Sequence, residues 1–230
     1  MTLTKADEMK NLGRLLQLTN SAMPVGGFSY SEGMEQLIAE KVICDYDGLK
    51  GWIEDSLDYG VIRIEACALK RVYEAKSNCN EKSQIFWDQW LLSTIETEEL
   101  RRQSIDMGRA LQRILNALPN NVCNPGQKQS PLKNYACIYG RTAADWEISL
   151  DSAIYGYLHR WVLSIIDVGV KLIPLGQSVG QKCLWNIQTI LDAKVAEIMF
   201  LVDEDLYSWN SGIVLASMNH EIQYSRLYRS

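Results

Sequence analysis

Residues 159–183 read HRWVLSIIDVGVKLIPLGQSVGQKC. The first half is apolar nearly all the way round: Trp161, Val162, Leu163, Ile165, Ile166, Val168, Val170, Leu172 and Ile173. A helix of that kind belongs in the middle of a bundle. Arg160, Ser164, Asp167 and Lys171 interrupt it at i, i+4, i+7 and i+11, a polar stripe down one face. Asp167 and Lys171 are spaced for an ion pair with the acid N-terminal, the better orientation. Pro174 removes a backbone donor, so the helix kinks or restarts there. Gly176 and Gly180 follow four apart, as do Gln177 and Gln181. Two helix-interior glycines cost about 1 kcal/mol each against alanine, which points to a close neighbour. The stripe has two readings: a structural ion pair among small residues, or a functional surface.

Outward from this centre, the chain reads as helices joined by turns and one loop. Residues 11–18 form a short amphipathic helix with Leu12, Leu15, Leu16 and Leu18 on one side. MPVGGFSYSEGME, residues 23–35, starts with a turn at Pro24 and the glycine pair; Ser29 and Glu32 have the spacing of a capping box. No Gly-Lys-Ser/Thr follows, so this is not a nucleotide-binding P-loop. Residues 46–77 are one long helix or two joined near Gly60, and residues 83–92 form an aromatic helix. Residues 94–118 carry Leu100, Ser104, Met107, Leu111, Ile114 and Leu118 inward and charges outward, with Gly108 marking a close crossing. A loop spans residues 120–131; helices resume at 133–144, 147–173, 174–190 and 192–202. No stretch alternates as a strand requires. The expectation is an all-α, single-domain helical bundle of about ten helices over residues 1–230.

Composition narrows function. The 230 residues are 47% hydrophobic and 22% charged with net charge -5 and no basic block, so nucleic-acid binding has no electrostatic support. Residues 1–10 lack the apolar core of a signal peptide, and no apolar run reaches the roughly 20 residues of a membrane helix. A cytoplasmic protein with no membrane contact is expected. Six cysteines without a C-x-x-C pair and only two histidines make a metal cage unexpected, and no catalytic set is evident. The last fourteen residues, SMNHEIQYSRLYRS, are too polar for another core helix: either a frayed terminus or, being rich in Tyr and Arg, a contact surface.

LLQLTNSAMPVGGFSYSEGME, KLIPLGQSVGQ and SMNHEIQYSRLYRS, with the weaker ETEELRRQSIDMGRAL, together resemble the urease accessory protein UreF family in order and spacing. Met34, Asn219, Ile222 and Tyr228 depart from the family's usual Leu, Arg, Thr and Phe, and the Asn219 change removes a cation from the tail. The resemblance implies an all-α homodimer that takes part in inserting nickel into urease. It would work in a complex with UreD (UreH), the GTPase UreG and apo-urease, as adaptor and regulator of UreG, without catalytic or metal-binding residues of its own. It would need no cofactor: nickel and GTP would be handled by the partners. Partner contacts are then expected at Lys171, Pro174, Gly176, Gln177 and Gln181; at Ser29, Tyr30 and Glu35; and at His220, Glu221, Gln223, Tyr224, Arg226 and Arg229 of a tail over about residues 217–230. Deleting that tail should abolish UreD binding with the fold intact, and Lys171 is a candidate to act in trans on the GTPase. The alternative is a helical enzyme with a small-molecule pocket near Asp167, Lys171 and Gln177.

Overall fold

A computed structural model describes residues 5–118, 131–207, 211–221 and 226–229. These form ten α-helices, and no strand occurs among the described residues: α1 (Lys5–Thr19), α2 (Met34–Ala39), α3 (Tyr46–Tyr59), α4 (Val61–Ser77), α5 (Glu81–Thr94), α6 (Glu98–Ala117), α7 (Tyr135–Asp145), α8 (Leu150–Leu172), α9 (Gln177–Phe200) and α10 (Ser211–Glu221). The loop expected over residues 120–131 lies almost wholly outside the described residues.

The centre of the bundle is α4 crossed by α7, with α8 packed alongside. Ala66, Cys67, Ala68, Leu69 and Val72 of α4 are fully buried, and each large side chain so buried stabilises by about 1.5–3 kcal/mol. Small residues let the backbones meet: a Cβ on Gly140 would lie 2.5 Å from the Leu69 carbonyl oxygen. Gly108 is the same device at the α6–α7 crossing, where a methyl would collide with the Lys133 carbonyl. α8 and α9 form a hairpin in which a Cβ on Gly180 would come 2.8 Å from a Val170 methyl.

Helix ends follow local chemistry. Gly60 breaks the 46–77 stretch into α3 and α4. Asp45 accepts from the Gly48 amide at 2.9 Å, and Asn80 from Ser83 at 3.1 Å, each satisfying an orphan N-terminal donor. At the other end of α9 the Lys70 ammonium donates to the Ile198 and Met199 carbonyls at 3.3 and 2.6 Å. A buried lysine here is a helix C-cap.

Residues 177–200 are one helix, not two, because Ile187 and Leu191 continue a single buried row. Gly176 is not inside a helix; it precedes α9 with φ +66°, a value glycine tolerates without strain. Leu12 and Leu16 are exposed, and only Leu18 of that set is fully buried. The capping box does not form: Gly33 precedes α2 with φ +81°, and the Glu32 side chain is engaged elsewhere. The C-terminal segment is not too polar for the core, since Ser217 and His220 are fully buried in α10 and Tyr228 is buried beyond it.

Candidate functional site

The polar stripe of α8 runs from the core to the surface. Arg160 is buried, Ser164 is half-buried, and Asp167 and Lys171 are exposed. Over eleven residues a helix climbs about 16 Å, so the stripe changes dielectric along its length. The expected Asp167–Lys171 ion pair is not among those of the described residues. Both groups are exposed, where such a pair contributes at most about 1 kcal/mol and water competes well.

At the inner end, Arg160 Nη1 donates to the Tyr135 hydroxyl, and the guanidinium lies 5.3 Å from that ring's centroid. The stripe forms one wall of a cavity of about 80 Å³; the opposite wall comes from the 27–32 loop, α4 and α6. Glu32 reaches into it from a backbone with φ +53°, held by Trp161 Nε1 at 2.9 Å and Gln103 Nε2 at 2.8 Å. Glu65 of α4 accepts from the Tyr157 hydroxyl at 2.7 Å. Protein surrounds both carboxyls, yet the cavity leaves the residues only half-buried. Burial raises the Glu32 carboxyl, the Trp161 and Gln103 hydrogen bonds opposing it. Burial also pushes Glu65 up to about 8, with the Glu32 charge adding and the Tyr157 hydrogen bond subtracting. Glu65 is therefore mainly neutral at pH 7. Glu32 as a cavity residue, and Glu65, Tyr135 and Tyr157 altogether, are not among the residues that spacing in the sequence singles out. The one signal for Glu65 was an acid amid the apolar run Ile62, Ile64, Ala66, Cys67.

The N-terminal and C-terminal segments meet beside this cavity. Glu35 Oε1 accepts from the Leu227 amide at 2.8 Å and Oε2 from the Tyr228 amide at 2.9 Å. His220 faces Glu35 at 3.4 Å through Nε2 and Glu99 at 3.0 Å through Nδ1. Arg226 donates to Glu99 at 2.6 Å, and the Arg229 amide to the Ser29 carbonyl at 2.8 Å. The Arg229 side chain also bonds Tyr30, whose hydroxyl is raised chiefly by burial. The structure thus brings Ser29, Tyr30 and Glu35 together with His220, Arg226 and Arg229. Tyr30, Glu35 and His220 are buried and Ser29 half-buried, whereas Arg226 and Arg229 are exposed. Gln223 and Tyr224, with the side chain of Glu221, lie outside the described residues.

Lys171, Pro174, Gly176, Gln177 and Gln181 form a separate group at the α8–α9 corner, and all five are exposed. No cluster of three or more His, Cys, Asp or Glu able to hold a metal occurs among the described residues. Cys44, Cys67, Cys79, Cys137 and Cys183 are free thiols; burial pushes Cys67 up to about 11, which leaves it inert at neutral pH. No helix of the described residues is long and apolar enough to cross a membrane.

These features define a helical protein with two exposed or partly exposed polar surfaces, a tail docked on its own N-terminal loop, and an internal polar cavity. A family model described as UreF matches residues 43–188. A relative from Microcystis aeruginosa is 43% identical over 224 residues, covering 97% of this chain and 99% of the relative. One from Nostoc sp. is 41% identical over 216 residues, 94% of each chain, and one from Synechocystis sp. is 39% identical over 228. Each is named urease accessory protein UreF. The chain belongs to the UreF family.

Proposed function

We propose that this protein acts in urease maturation as a non-catalytic adaptor and chaperone for nickel insertion. It would hold UreD (UreH), the GTPase UreG and apo-urease in register, coupling GTP hydrolysis by UreG to delivery of nickel. The nucleotide and the metal are chemistry of the partners and cargo. The observation that carries this reading is the α8–α9 corner. Lys171, Pro174, Gly176, Gln177 and Gln181 are all exposed, free of core packing and available to a partner. Trp185 and Phe200 on α9, 74% and 86% exposed, are large apolar groups of the kind that homodimer and partner interfaces cover. Lys171 would act in trans on the GTPase, although a lysine is a poorer phosphate clamp than arginine. The protein would work in the cytoplasm, as a homodimer, without contact to nucleic acid or membrane.

The test is the mass, by size exclusion with light scattering, of this protein mixed with UreD and with UreG, separately and together. Co-elution of all three supports the adaptor reading; elution apart from both sinks it.

The alternative, a helical enzyme acting on a small molecule, draws on the cavity that Asp167 and Lys171 line. Turnover of a small molecule by the isolated chain would favour it.

A further inference from the structure

Arg160 and Glu32 line one cavity without touching each other. Arg160 is only 8% exposed, yet it has no ion pair among the described residues; its bonding partner is the neutral Tyr135 hydroxyl. Glu32 is likewise unpaired among the described residues and held by two neutral N–H donors, Trp161 Nε1 and Gln103 Nε2. Enclosed charges without counter-charges are costly and ordinarily pair. Here two opposite charges face the same space and are kept apart. Two tyrosines line the same cavity, Tyr135 under the guanidinium and Tyr157, their ring centroids 5.8 Å apart. The cavity of about 80 Å³ has room for about five to eight water-sized groups at 10–15 Å³ each. Its outer end is lined by Phe28 and Lys171, both exposed.

We propose that this cavity is a binding site for a small zwitterion, an α-amino acid of glycine or alanine size. The carboxylate would take the free edge of the Arg160 fork, whose planar geometry suits two oxygens. The ammonium would sit at the Glu32 carboxylate, which already accepts from the Trp161 and Gln103 N–H groups and keeps lone pairs for a further donor. Glu65, neutral at pH 7, then adds a hydrogen-bonding group rather than a second charge. An anion alone would leave Glu32 uncompensated, and a cation alone would leave Arg160 so; a ligand carrying both charges compensates both. The cavity shares Tyr30 and Lys171 with the surfaces expected to meet partners, but its binding charges are Arg160 and Glu32, so glycine binding is read separately from partner assembly.

The experiment is isothermal titration calorimetry of the full chain with glycine, acetate, methylammonium and acetamide, with the Trp161 indole N–H followed by NMR. Glycine is expected to bind once per chain and to shift that resonance, with acetate and methylammonium at least about tenfold weaker. Arg160→Gln and Glu32→Gln should each abolish binding. Ser164→Leu, which fills the cavity while keeping both charges, should also abolish it and serves as the deciding variant if the other two do not fold. No heat and no shift with glycine would mean that the cavity holds water only, and would overturn the proposal. So would acetamide binding as well as glycine, or unchanged affinity in a folded Ser164→Leu protein.

Discussion

Glu35 and His220, 185 positions apart in sequence, meet in the interior with His220 Nε2 at 3.4 Å from Glu35 Oε2. The same carboxylate accepts the amides of Leu227 and Tyr228, so one side chain of α2 anchors the C-terminal segment. Glu35→Ala would leave those N–H groups without their acceptor, at a cost of about 1–3 kcal/mol. Accelerated hydrogen exchange at Leu227 and Tyr228, with a lowered melting temperature, is expected. Unchanged exchange would mean that the segment is held by something else.

Deleting residues 217–230 removes Ser217 and His220, both fully buried, and uncovers Gly33, which lies against Ala216 and Ser217. The deletion should therefore lower the melting temperature as well as any affinity for UreD; the segment's polarity had suggested an intact fold. Circular dichroism melts of the two proteins read the first effect, and co-purification with UreD reads the second.

Glu65 gives a pH dependence with a definite sign. Its folded value, about 8, lies above that of an exposed glutamate, so the folded state holds the proton more tightly. Between pH 5 and 8 the unfolded chain loses that proton first, and stability falls as pH rises, by at most about 1.4 kcal/mol per unit. Glu65→Gln removes this slope. Urea unfolding from pH 5 to 9 should show the variant gaining on the native protein up to about pH 8 and holding level above it. A constant difference across that range would contradict the assignment.

The glycines separate by what their missing methyl would meet. Gly51 of α3 has open space around it, so Gly51→Ala should stabilise by up to about 1 kcal/mol through helix propensity. Gly108→Ala meets the Lys133 backbone, which cannot step aside, and should cost about 1–3 kcal/mol. Thermal unfolding of the two variants in parallel checks both the signs and their order.

Local chemistry was legible in the sequence. Gly60 as a break, Gly108 as a crossing and the buried side of α8 needed nothing beyond their neighbours along the chain. What failed involved distant competition. Glu32 has capping-box spacing from Ser29, but Trp161 and Gln103, 129 and 71 positions away, take its carboxylate. Asp167 and Lys171 have ideal spacing for a pair, but the stripe reaches solvent before it reaches them. His220 looks like a surface group until Glu35 and Glu99 arrive from α2 and α6. Spacing cannot show which of two partners wins, nor where along a helix the core ends.

The proposed role of the α8–α9 corner is tested most directly by the urease activity of cells carrying Lys171→Ala, read beside the melting temperature of the purified variant. Lys171 is exposed and has no ion pair among the described residues, so the substitution should cost under about 1 kcal/mol of stability. A near-native melting temperature with urease left unactivated is expected. A stable variant that activates urease normally would contradict it.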